Sequence, residues 1–133
     1  GFLAGLQQYL HRFSEVYGLR TELVEPPGWE ENLLEPTVAV QLLRIIQEAL
    51  TNVRTHARAT RVQVVIGLNG PRAQVTVQDD GIGFDSALVP EGPGQKYGLS
   101  FLRERAAEVG GNVTILSNPE KGTHIVVNVP RKL

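Results

Sequence analysis

The 133-residue chain contains no cysteine and no methionine. Without thiols there is no disulfide framework and no zinc site built on thiolates. That is compatible with a cytoplasmic location. No apolar run approaches the roughly 20 residues that a membrane-crossing helix requires, and no secretory leader stands at the start. An excess of one charge is also missing. Thirteen Lys and Arg against fourteen Asp and Glu leave a net charge of −1, so no broad basic face points to direct binding of nucleic acid. The chain opens on Gly1-Phe2-Leu3 without an initiator Met. It reads as a piece of a longer protein, whose anchoring or targeting segments would lie elsewhere. What is present is ordinary for one domain: 41% apolar residues and 20% charged, in a length that can bury a single core.

Periodicity divides the chain. Phe2, Leu6, Tyr9, Leu10, Phe13, Val16 and Tyr17 recur at three- and four-residue spacing, which predicts an amphipathic helix ended by Gly18. Leu19 to Val24 alternates as a strand, and Pro26-Pro27-Gly28 breaks it. A second helix is expected from Pro36 to His56, with Pro36 suited to its first turn. Val62 to Leu68 and Ala73 to Asp79 form a hairpin across Gly70-Pro71. Gly81 to Tyr97, with four Gly and two Pro, reads as loop. A third helix follows over Gly98 to Val109, then strands Val113 to Leu116 and Thr123 to Val129. Helices and strands do not alternate regularly. The expected fold is therefore α+β: a two-layer sandwich of mixed sheet with helices on one face, in one domain spanning 1–133.

Two features break the apolar pattern. On the second helix, Leu42, Ile45, Ile46, Ala49, Leu50, Val53 and Ala57 form one arc, and Gln41, Glu48, Asn52 and Thr55 the adjoining one. Glu48 and Asn52 are one turn apart. Such a pair is either a solvated face or a hard-oxygen set suited to Mg²⁺, which takes few protein ligands beside phosphates and water. On the second hairpin strand Asp79 shares parity with Val75 and Val77, so a carboxylate points to the apolar side. A buried carboxylate needs partners, and an amino group on a bound base would serve. Gly81 and Gly83 follow, as a plain turn or as a place where a ligand approaches backbone. Lys96 precedes the third helix, whose N-terminus is a potential anion site.

Taken together, these segments resemble a known family. Arg44 to Ala57 resembles the N box of histidine-kinase ATPase domains, Asp79-Asp80-Gly81-Ile82-Gly83-Phe84 the G1 box, and Lys121-Gly122-Thr123 the Gly-Thr before the last strand. Tyr97 to Ala106 is similar to the G2 region of the subfamily that signals to nitrate-response-type regulators. The resemblance implies the Bergerat ATP-binding fold and Mg-ATP as ligand. It makes Asn52 the metal ligand and Glu48 the residue that holds the metal's water shell or polarises the reacting group. Asp79 would receive the adenine amino group, Gly81 and Gly83 would lie against the base, and Thr123 would sit beside them. Lys96, Tyr97, Gly98 and Leu99 would form lid and phosphate cradle. The family often carries Lys or Arg three residues after the Asn. Thr55 stands there, and His56 either supplies that phosphate contact or is a rim histidine that merely packs. The G2 region also lacks the full Gly-x-Gly-x-Gly, offering only Gly92-Pro93-Gly94 apart from Gly98.

The implied activity is that of a protein histidine kinase. The γ-phosphoryl group would pass to a histidine on a separate dimerisation domain of the same parent, and from there to a response regulator. His11 lacks the acidic neighbour expected after an acceptor, so this chain alone is expected to bind ATP without phosphorylating itself. It is expected to be monomeric within a homodimeric parent. Two alternatives share the fold: an anti-sigma-factor-type serine kinase, and a regulatory module that has lost its nucleotide.

Overall fold

The computed structural model describes residues 1–82, 99–117 and 121–132. Helix α1 (Phe2–Tyr17) ends at Gly18, whose φ of 70° lets its amide reach the Ser14 carbonyl. Strand β1 (Arg20–Val24) follows, then helix α2 (Pro36–Asn52) with Pro36 in its first turn. The hairpin comprises β2 (Arg61–Asn69) and β3 (Arg72–Asp79). Helix α3 (Leu99–Glu108) and strands β4 (Asn112–Ser117) and β5 (Thr123–Pro130) complete the described fold.

The five strands form one sheet in the order β1-β2-β3-β5-β4. It is mixed: β1 runs parallel to β2, and the other pairs are antiparallel. Burial alternates along β2, β3 and β5. Val62, Val64, Ile66, Ala73, Val75, Val77, Ile125, Val127 and Val129 present one apolar face, and the helices cover it. Helix α2 and the turn that follows it contribute the expected arc from Leu42 to Ala57 without exception. Each fully buried Leu or Ile on it is worth about 2–3 kcal/mol of hydrophobic transfer. The α+β two-layer sandwich read from the sequence is the observed architecture. Among the described residues no helix is long and apolar enough to cross a membrane.

Two expectations need correction. The apolar stripe of α1 does not stay buried to its end: Leu6, Leu10 and Phe13 are inside, but Val16 and Tyr17 are 63% and 48% exposed. Tyr17 instead carries the Arg54 guanidinium over its ring at 4.5 Å. The second helix does not run regularly to His56. After Asn52 it widens into a π-helical turn, Val53–Ala57, closed by Arg58 in the left-handed conformation. A tertiary bond accompanies the change: the Ile82 amide donates to the Ala57 carbonyl at 2.7 Å. Short π segments of this kind gather at functional positions.

Candidate functional site

The end of β3 places two adjacent carboxylates on opposite sides of the sheet. Asp79 points to the helix side and is half-buried. Its Oδ1 accepts the Gly81 amide at 2.8 Å, and the Thr123 amide also donates to the carboxylate. Burial raises its pKa above the ordinary value of 3.8, and these two amides only partly offset that. Asp80 points outward. It accepts the Thr60 amide at 2.8 Å, the Arg61 amide at 3.0 Å and the Thr60 hydroxyl. Partial burial would raise its pKa, but these bonds outweigh it and hold the group below the ordinary value.

Close backbone contacts lock the surroundings of Asp79. A Cβ on Gly81 would lie 2.0 Å from the Ala57 carbonyl oxygen. One on Gly122 would lie 2.1 Å from the Asp79 carbonyl oxygen, and Gly122 has a φ of 79°. Only glycine fits at either place. The exit of α2, the turn after β3 and the start of β5 are thereby pressed together. Two segments that the sequence singled out separately, the Glu/Asn helix and the Asp-x-Gly turn, thus share a backbone junction at Ala57 and Ile82.

Asn52 is buried at the last residue of α2. Glu48, one turn earlier, is half-buried and faces α1 closely enough to raise the Tyr9 pKa, behind the larger effects of burial and Tyr17. Thr55 is exposed, and its hydroxyl turns back to the Thr51 carbonyl at 2.8 Å. It offers no charge in place of the basic residue. His56 lies in the π-helical turn. Thr123 is buried beside Asp79. The Leu99 side chain is buried in the core, so its backbone alone can serve a ligand. Gly83, Lys96, Tyr97 and Gly98 lie outside the described residues.

Sequence reasoning passed over two residues. Ser117 is buried against Thr123, oxygen to oxygen at 2.9 Å. Extending the alternation Val113, Ile115 by one step would have placed this hydroxyl on the apolar side, the same signal that marked Asp79. Thr60, the main anchor of Asp80, gave no such signal because its bond is made on the exposed side. A cavity of about 650 Å³ opens at this end of the sheet, lined chiefly by Arg20, Glu22, Arg61, Gln63, Gln78 and His124. It touches Asp79 but neither Asn52 nor Thr123. Several of its polar groups are already matched: Gln63 donates to Glu22, and Asp80 holds Thr60 and Arg61. The helix-side cluster around Asp79 is the stronger candidate for a ligand.

That cluster can accept from a donor on a ligand. A carboxylate has about four lone-pair positions, and two amides do not exhaust them. Among the described residues no three His, Cys, Asp or Glu side chains stand together as a metal cage. A Mg²⁺ held by one amide oxygen, phosphate oxygens and waters needs none.

Comparison with known proteins identifies the family. Residues 37–133 match the family described as histidine kinase-, DNA gyrase B-, and HSP90-like ATPase, and the chain belongs to that family. It is an ATP-binding domain of the sensor-histidine-kinase kind. It is 34% identical over 132 residues to the sensor histidine kinase LiaS of Bacillus subtilis (strain 168), covering 98% of this chain and 34% of that protein. It is 33% identical over 130 residues to the signal transduction histidine-protein kinase/phosphatase DegS of Brevibacillus brevis, covering 98% of this chain and 32% of that protein. The chain thus spans about a third of these curated relatives. In fold it matches the histidine kinase domain of the Erythrobacter litoralis EL346 blue-light activated histidine kinase. The TM-score is 0.77 at 22% identity, over 97% of this chain and 60% of that one.

Proposed function

We propose that this domain binds Mg-ATP and that its parent enzyme moves the γ-phosphoryl group from ATP to a histidine imidazole, leaving ADP. The acceptor histidine would sit on a separate dimerisation domain, and a response regulator would take the phosphoryl group onward in the cytoplasm. The observation that carries the reading is Asp79: a carboxylate turned to the helix side, fixed by two backbone amides, with accepting capacity to spare. In this reading Asp79 takes the adenine amino group, and Thr123, Gly81 and Gly83 frame the base. Asn52 supplies an oxygen to Mg²⁺, and Glu48 orders its waters or polarises the reacting group. His56, Lys96, Tyr97 and the backbone of Gly98 and Leu99 serve the phosphates. Phosphoryl transfer asks chiefly for positioning and charge neutralisation, which the metal and these groups supply. The sensor-kinase relatives favour a histidine acceptor over the serine acceptor of an anti-sigma-factor-type kinase.

Calorimetric titration with ATP, with and without Mg²⁺, tests the assignment. The domain should bind ATP, Mg²⁺ should tighten binding, and Asn52→Ala should abolish that Mg²⁺ effect. Absence of binding at millimolar ATP would point instead to a regulatory module, with Thr55 as the leading reason. Mass spectrometry after incubation with Mg-ATP should find no phosphohistidine on the isolated domain.

A further inference from the structure

The π-helical turn Val53–Ala57 follows Asn52 directly and contains His56, the residues that the nucleotide reading gives to metal and phosphates. A turn closed from i to i+5 aims its residues differently from the α-helix before it, and this form is rare. Three ties hold it here. Inside the helix, the hydroxyls of Thr51 and Thr55 turn back to the Gln47 and Thr51 carbonyls at 3.0 and 2.8 Å, a bond that bends helices. At the far end, the Ala57 carbonyl receives the Ile82 amide at 2.7 Å. In the middle, the exposed Arg54 lays its guanidinium 4.5 Å from the centre of the Tyr17 ring. This last tie joins the turn to α1. Tyr17 is itself fixed: its ring stands edge-on to Phe13 at 5.1 Å between centres, and Phe13 is buried in the core. Tyr9, two turns before Tyr17 on the same side of α1, lies in the field of both Glu48 and Arg54. The contact therefore stands beside Glu48 as well as beside Asn52.

We infer that Tyr17 and Arg54 form a clamp that holds the π-helical turn in the shape the metal and phosphate end of the site requires, which makes both of them positioning residues for Mg-ATP. The inference rests on the nucleotide reading above. Neither side chain needs to touch the ligand. The two ends of the site are held by different ties. The Asp79 end is fixed by Gly81, by Thr123 and by the Ile82 bond to Ala57, none of which involves Arg54. The Asn52 end has the turn as its continuation, and there the clamp acts. Releasing Arg54 from the ring lets the turn relax without disturbing Asp79. The same contact accounts for the exposed end of the α1 stripe: Tyr17 is spent on Arg54 rather than on the core.

The test compares the affinities of Mg-ATP and of AMP, which keeps the base and sugar but lacks the outer phosphates, for the domain and its variants. Tyr17→Leu should weaken Mg-ATP about two- to fivefold, the scale of one exposed cation–π contact, and leave AMP unchanged. Tyr17→Phe, which keeps the ring, should behave as the unmodified domain. Arg54→Gln should match Tyr17→Leu, and the double variant should lose little more, since both remove one contact. Hydrogen exchange at the amides of Val53–Ala57 should quicken in Tyr17→Leu, a readout that needs no nucleotide. Equal weakening of AMP and Mg-ATP, a Tyr17→Phe variant as weak as Tyr17→Leu, or additive losses in the double variant would overturn the inference. Additive losses would make Arg54 a direct phosphate contact instead. If the unmodified domain binds neither nucleotide, the nucleotide reading fails and the inference falls with it, whatever the exchange rates show.

Discussion

Asp79 and Asp80 are neighbours in the chain, and they lie on opposite sides of the sheet. On the helix side, Asp79 is half-buried, its pKa is raised by burial, and two amides leave it room to accept more. On the outer side, Asp80 is exposed, its pKa is lowered, and its oxygens are taken by Thr60 and Arg61. One strand end therefore carries two identical groups in opposite states. Asp80 is matched by the protein itself and ties the start of β2 to the end of β3. Asp79 is held in place but not matched. A carboxylate that the fold positions without satisfying points to a ligand, whereas a satisfied one points to architecture.

Three measurements would break or sharpen this contrast. The largest effect should come from Asp79→Asn, which keeps the shape and removes the charge. ATP affinity should fall about 10- to 100-fold, the scale of a hydrogen bond to a charged group. The melting temperature should hold or rise, because burial already favours the uncharged form. A loss of stability in step with the loss of binding would make Asp79 structural. Asp80→Ala should do the reverse. The Thr60 and Arg61 amides are exposed and water can replace their acceptor, so stability should fall by about 0.5–1.5 kcal/mol in denaturant unfolding, with ATP affinity within twofold of the starting value.

The smallest effect should appear on acidification. Asp79 has a folded pKa raised above 3.8, so its contribution to folding is fully present below that value and is lost as pH rises through the folded pKa. Asp80 has a folded pKa below 3.8, so its contribution is present above that value and is lost as pH falls through the folded pKa. As pH is lowered, ATP affinity should weaken first, when Asp79 takes up its proton. The stabilisation owed to Asp80 should fail later, at more acid pH. Calorimetry and circular dichroism over one pH series give both curves, and coincidence of the two would erase the distinction.

Much of this was legible in the residues. Every strand and helix of the described fold follows from apolar spacing, and parity alone put Asp79 on the helix side. The exceptions share a cause. Val53 to Ala57 has a helical pattern, and the π-helical turn accompanies a bond from Ile82, a residue 25 positions beyond Ala57. Val16 and Tyr17 continue the stripe of α1, but the burial of α1 stops at Phe13. Asp-Gly read as a turn signal hid the fact that Asp80 holds Thr60, 20 residues earlier. Local patterns encode local structure. These misses are long-range pairings, which no window of neighbouring residues contains.

The strand order has a consequence for how the molecule is made. β5 follows β4 along the chain, yet it lies between β3 and β4. During synthesis from the N-terminus, β1, β2 and β3 can join as soon as they leave the ribosome, while β4 has no partner in the sheet until β5 emerges. Thr123 travels with β5, so the partner that steadies Asp79 arrives after every other strand of the described fold. A nascent chain stalled before that point would expose the unpaired edge of β3 and a strand with nowhere to go, a state prone to aggregation.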